Sequence, residues 1–263
     1  MTLRPFWSYY GSKYRLAGAY PAPRHGLIVE PFAGAAAYAL RYPSRRVLLC
    51  DSNAVIAGVW DFLIRAPEAE VLGLRVDIEC IDDLGPVPQE ARWLVGFWLG
   101  RCRATPAHTA GSWMKVHQRQ RPGAFWSAVT RQRIASQQAA IRHWQVRWGS
   151  YGSLHVAEPA TWFVDPPYRC KAGRRYPHGM TRLDYSALAT WCRGREGQVI
   201  VCEQDGADWL PFVPMRRVTG ARGRRLEVVW SHGEGPPLGG GREDAQMALF
   251  PAALRAQAVL HAA

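Results

Sequence analysis

Four short apolar runs in this chain each end in an acidic residue: LIVE (27–30), VLLCD (47–51), TWFVD (161–165) and QVIVCE (198–203). A run of that length bounded by turn residues reads as a strand buried on both faces. An acid at its carboxyl end sits where open α/β sheets bind ligands. The first two runs are each followed by a turn and a helical pattern. Gly34 opens the Ala-rich segment 33–43, which Pro43 stops, and VIAGVWDFLIRAP (55–67) is an amphipathic helix stopped by Pro67. Two consecutive strand–turn–helix units predict a parallel α/β topology.

Further along, ARWLVGFWLGRC (91–102) and FWSAVTRQRIASQQAAIRHW (125–144) predict helices, the second with a basic polar side. Residues 103–126 lack steady periodicity and read as loop or an irregular small lobe. LEVVWSH (226–232) predicts a late strand, 233–244 a Pro/Gly linker, and 245–260 a short tail helix.

Composition narrows the class. The chain has 263 residues, 48% hydrophobic and 21% charged, with 12 Trp, which is enough for a substantial core. No apolar run nears the ~20 residues of a membrane helix, and MTLRPFWSYYGSK lacks a signal-peptide apolar region, so a cytoplasmic protein without a membrane partner is expected. The six cysteines form no CxxC pair, which argues against a zinc knuckle and a disulfide framework; no metal site is expected. The net charge of +12 is spread over 101–147, 169–182 and 216–225, a distribution that suits a phosphate backbone or an anionic small molecule.

Glu30, Asp51, Asp165 and Glu203 close the four strands. Glu30 precedes Phe32 and Gly34 in a turn without GxGxxG, so a carboxylate would face a dinucleotide's pyrophosphate there. That is electrostatically unfavourable for phosphate and acceptable for a cationic, phosphate-free cofactor such as S-adenosylmethionine. Asp51 follows about 20 residues later, where such folds place a carboxylate for ribose hydroxyls. The strongest signal is Asp165-Pro166-Pro167-Tyr168. The acid ends a strand, and the prolines stiffen the turn and bring no N–H. Asp165 can accept one hydrogen of an exocyclic amine and the Pro166 carbonyl the other, while Tyr168 stacks on a base.

These motifs in this order resemble the Dam-like (D12-type) DNA adenine-N6 methyltransferase family over most of residues 6–232. Phe6-Trp7-Ser8-Tyr9-Tyr10-Gly11-Ser12-Lys13 is similar to that family's N-terminal cofactor motif, Glu30-Pro31-Phe32-Ala33-Gly34 to its central cofactor loop, and Asp51-Ser52-Asn53 to its ribose segment. Gly149-Ser150-Tyr151 stands where the family has a third strand end, and Asp165-Pro166-Pro167-Tyr168 matches the catalytic motif. The resemblance implies a Rossmann-like S-adenosylmethionine-dependent fold with a mostly parallel sheet and a small inserted, largely helical recognition lobe. It implies a catalytic and cofactor-binding domain over 1–87 and 141–232, target recognition within 88–140, and a linker and C-terminal helix over 233–263.

The cofactor residues would be Tyr9, Tyr10, Lys13, Glu30, Phe32, Gly34, Asp51, Ser150 and Tyr151; the alternative for Lys13, read from its surroundings alone, is a DNA phosphate. The partner would be DNA, in a bacterial or phage-infected cell, with no required protein partner. Arg119, Arg121, Arg169, Lys171, Arg174 and Arg175 would contact it. A second basic stretch, Arg216 to Arg225, could clamp the opposite backbone. The loop departs from the usual FxGxG at Ala36, whose methyl must face away from the cofactor, and Ser150-Tyr151 lacks the frequent acid. Cytosine-N4, RNA or protein-amide methylation, and a catalytically silent DNA-binding homologue, remain open alternatives.

Overall fold

The computed structural model describes residues 2–117, 122–177, 179–220 and 223–232. The strands are β1 (Leu27–Glu30), β2 (Arg46–Asp51), β3 (Gln145–Trp148), β4 (Ala160–Val164), β5 (Gly197–Gln204), β6 (Val213–Gly220) and β7 (Gly223–His232). The α-helices are α1 (Ala54–Arg65), α2 (Glu68–Gly73), α3 (Gln89–Leu99), α4 (Ser112–His117), α5 (Ala128–Gln138) and α6 (Tyr185–Arg193). The strands form one sheet in the order β3-β2-β1-β4-β5-β7-β6. The first five in that order run parallel, and β7 runs antiparallel to both β5 and β6. This is the Rossmann-like fold of S-adenosylmethionine-dependent methyltransferases.

The central strands are mostly apolar because both faces are covered, and successive side chains enter opposite cores. Ile28, Leu49, Phe163 and Ile200 enter a large core with Trp7, Trp60 and Phe97. Their neighbours Val29, Leu48, Trp162, Val199 and Val201 pack on the other face against Leu188 and Cys192 of α6. Asn53 caps α1 by accepting from Val55 N at 3.0 Å, and Asp184 caps α6 by accepting from Ser186 N and Ala187 N. Helix α3 packs on α1 and α2 on α5, so α3 and α5, both within 88–140, bury Leu94, Phe97, Trp98 and Ile134 in the large core.

The Ala-rich segment after Gly34 does not form the expected α-helix. Gly34 and Ala36 have φ of 45° and 47°, left-handed values that a right-handed helix excludes. Winding starts only beyond them, as a single 3₁₀ turn at Ala39–Arg41. The expected tail helix and linker (233–263) lie outside the described residues. No helix among the described residues is long and apolar enough to cross a membrane.

Candidate functional site

Sheet order reverses direction between β1 and β4, the position at which a crevice opens beyond the carboxyl ends of parallel strands. A cavity lies there. The ends of β1, β2 and β4 supply Glu30, Asp51 and Asp165, the loop after β1 supplies Phe32 to Ala35 and Ala37, and Tyr9 to Lys13 arrive from the N-terminal segment. That segment is held from below: Trp7 packs on Trp60 and Phe97, the Trp98 indole donates to the Phe6 carbonyl at 2.9 Å, and Tyr10 N donates to the Arg103 carbonyl at 3.1 Å.

The loop after β1 is braced by its neighbours. Gly34 N donates to Asp51 Oδ2 at 3.0 Å, while the Trp60 indole donates to the Gly34 carbonyl at 2.8 Å. The other Asp51 oxygen accepts from Asn53 N at 2.9 Å. Ala36 is fully buried in the large core and is not among the cavity-lining residues; its left-handed backbone turns the methyl inward. Glu30 is 2% exposed and accepts from Ala39 N at 2.6 Å. Burial pushes its carboxyl up to about 8, only partly offset by the Ala39 and Tyr38 amides.

Asp165 sits one residue past β4. Burial and the nearby Glu227 push its carboxyl up to about 6, against the pull of Lys13, whose Nζ lies 3.0 Å from Oδ1. Burial disfavours the Lys13 ammonium, but Asp165 and Glu227 outweigh it and hold its pKa above the ordinary value. Lys13 also donates to the Gly11 carbonyl at 3.2 Å and stands 4.4 Å from the centre of the Tyr168 ring. The Pro167 carbonyl accepts from the Tyr185 hydroxyl, whereas among the described residues none donates to the Pro166 carbonyl.

Of the expected cofactor residues, Tyr9, Tyr10, Lys13, Glu30, Phe32, Gly34 and Asp51 all line this cavity, with Asp165 and Pro167 of the turn. Pro166 and Tyr168 do not line it. Tyr168 lies behind Lys13, so one ring face is covered by the ammonium and its hydroxyl is bound to Glu227. Ser150 and Tyr151 stay outside the cavity: Ser150 caps a 3₁₀ turn, and Tyr151 stacks on Phe32 at 5.6 Å. Glu203 also faces away from it, accepting from Arg169 N and the Trp209 indole, each at 3.1 Å, and so anchors the chain just past Tyr168.

Lys171, Arg174 and Arg175 are exposed on the segment after the turn, and Arg169 is paired with Asp208 at 2.5 Å. Arg119 and Arg121 lie outside the described residues. Two contributors were not anticipated. Tyr176 lines the cavity and donates to the Tyr10 carbonyl at 3.2 Å, filling the space that a side chain at Gly11 would need. Glu227, on β7, binds Tyr20 and Tyr168. The signal for it was an acid inside the apolar run LEVVW, on the same strand face as the buried Val229.

Among known proteins, no family model matches this chain, and no curated protein matches it. What stands is the fold, which is that of a methyltransferase-like enzyme, and the cavity that the fold places at its switch point.

Proposed function

We propose that the protein transfers the methyl group of S-adenosylmethionine to N6 of adenine in DNA. The observation that carries this reading is the meeting of Asp165 with Glu30, Asp51 and the Tyr9–Lys13 segment around one cavity at the β1/β4 switch point.

The lining fits the cofactor. The Asp51 and Asp165 carboxylates and the ionisable Glu30 face one ammonium, a lining that disfavours a pyrophosphate and favours a cation. Gly34 holds the loop open: its φ of 45° is accessible to glycine, and an added Cβ would press on the Tyr9 ring at 3.2 Å. Asp51 would hold the ribose hydroxyls, Glu30 and Lys13 would frame the amino-acid end, and Phe32 with Tyr151 behind it would give an apolar wall. When bound, the cofactor supplies an electrophilic methyl group.

The chain's own residues then orient the acceptor. Asp165, with a pKa of about 6, is mostly carboxylate at neutral pH and accepts one amine hydrogen. The Pro166 carbonyl accepts the other, leaving the nitrogen lone pair directed outward. The carboxylate also stabilises the nitrogen as it gains positive charge, so positioning and electrostatics supply most of the rate. A duplex adenine must first leave the stack, at a few kcal/mol, and Lys171, Arg174 and Arg175, which are exposed, would hold flanking phosphates. Residues 101–117 carry the exposed Arg101, Arg103 and His108 and would read part of the target. Their tie to the site is the pairing of Arg103 with Tyr9 and Tyr10.

Incubation with methyl-labelled cofactor and, in parallel, DNA, RNA and protein tests the acceptor class. Label in DNA alone supports this reading; label only in RNA or protein rejects it.

A further inference from the structure

Glu227 lies in the antiparallel half of the sheet, 5% exposed. A single oxygen, Oε1, accepts from the Tyr20 hydroxyl at 2.7 Å and from the Tyr168 hydroxyl, with Lys13 Nζ 4.0 Å away. The same Nζ is 3.0 Å from Asp165. One buried ammonium therefore stands between the buried Glu227 and the partly buried Asp165, nearer to Asp165.

A neutral amide at 227 would satisfy both phenols equally well. A charge there holds the ammonium more strongly than a neutral oxygen can. Lys13 makes the contacts expected of a target amine: it donates to Asp165 and sits over the Tyr168 ring. An arriving amine must take Asp165 from it, and an ammonium left buried without a counter-ion is strongly disfavoured. Glu227 lies within a small swing of the lysine side chain, and its grip on the Tyr168 hydroxyl keeps the ring in place as the lysine moves.

We propose that Glu227 is a positioning residue of this site: it fixes Tyr168 by the hydroxyl and receives Lys13 when the target amine takes Asp165. This rests on reading Asp165 as the amine acceptor. The groups facing Asp165 are Lys13, Tyr9 and Tyr20 from the N-terminal segment, Glu30 of β1, Tyr168 and Tyr176 from its own loop, Cys202 and Glu203 of β5, and Glu227 of β7. Among them Glu227 raises the Asp165 pKa and Lys13 lowers it. Neutralising Glu227 therefore moves the Asp165 midpoint down, both directly and by giving Lys13 wholly to Asp165.

The test uses Glu227→Gln, which keeps size and acceptor, and Glu227→Asp, which keeps the charge one methylene further back. Carbon NMR of the Asp165 carboxyl in the ligand-free protein should show its midpoint falling by roughly 0.5 pH or more in the Gln variant, with partial recovery in the Asp variant. Single-turnover DNA methylation should fall about tenfold in the Gln variant while cofactor affinity stays within threefold. An unmoved midpoint overturns the proposal even if the rate falls, because Glu227 is then only structural. A lowered midpoint with an unchanged rate overturns it too. If the parent protein labels no DNA, the Asp165 reading fails instead, and the titration still decides whether Asp165 and Glu227 share Lys13.

Discussion

Replacing Glu30 by Gln should remove a pH-dependent loss of stability that the buried carboxyl imposes on the fold. The folded pKa is about 8, against an ordinary value of 4.5 in the open chain. Below 4.5 the carboxyl is neutral in both states and its contribution to stability is fully present. As pH rises, the unfolded chain ionises first, so the native state binds more protons and stability falls until the folded carboxyl also ionises near 8. A span of roughly 3.5 pH at about 1.4 kcal/mol each gives on the order of 5 kcal/mol, of which about two thirds is lost by pH 7. The group is 2% exposed, so solvent screening reduces this little. Gln keeps an oxygen for Ala39 N and never ionises. Urea unfolding of both cofactor-free proteins at pH 5, 6, 7 and 8 measures the difference, from which titrating groups that do not interact with Glu30 cancel. The advantage of the Gln variant should grow by about 1.4 kcal/mol per pH up to 8. A constant difference across that range would refute the reasoning.

The same carboxyl should ionise when a cation enters the cavity. Calorimetry of S-adenosylmethionine binding at pH 7, in buffers of different ionisation enthalpy, should therefore register release of close to one proton, and none in Glu30→Gln. Ala36→Gly should change stability by no more than ~0.5 kcal/mol, because relief of the left-handed backbone (about 1) offsets the lost burial of one methyl (about 0.8). Cofactor affinity, measured by the same calorimetry, should stay within twofold; tenfold tighter binding would mean that the methyl obstructs the cavity. Replacing Lys171, Arg174 and Arg175 together by Ala should flatten the slope of log affinity for DNA against log salt by ~2–3, read by fluorescence anisotropy. Arg169 should add little to that change, since Asp208 already pairs it; an unchanged slope rules out phosphate contacts by this segment.

The central strands were legible because burial on both faces writes them as apolar runs, and three of their four terminal acids, Glu30, Asp51 and Asp165, line the cavity, whereas Glu203 faces away from it. Edge strands were not. β3 reads QVRW with three of its four residues exposed, and β6 carries Pro214 and two adjacent arginines, so neither has the pattern of a buried strand. Helix α6 was overlooked although Asp184 and the stripe Tyr185, Leu188, Ala189, Cys192 announce a cap and a buried face. The alanines after Gly34 misled in the opposite direction: their helix propensity yielded to two left-handed residues that the loop geometry imposes. Glu30 was placed correctly at the cavity, but its engagement by the Ala39 amide depends on a turn that sequence pattern does not encode. Glu227 escaped because the partners that make sense of it, Lys13, Tyr20 and Tyr168, lie 59 or more positions away along the chain.

The central claim is that Asp165 receives an adenine amine while a methyl group is transferred. Tritiated S-adenosylmethionine and unmodified genomic DNA, followed by nucleoside digestion and chromatography, test it in the parent and in Asp165→Ala. The parent should yield labelled N6-methyladenine, and the variant should lose at least ~100-fold of the single-turnover rate, about 2.7 kcal/mol, with cofactor affinity within a few-fold. Label in N4-methylcytosine, no label in any nucleoside, or an Asp165→Ala variant as fast as the parent would contradict the account.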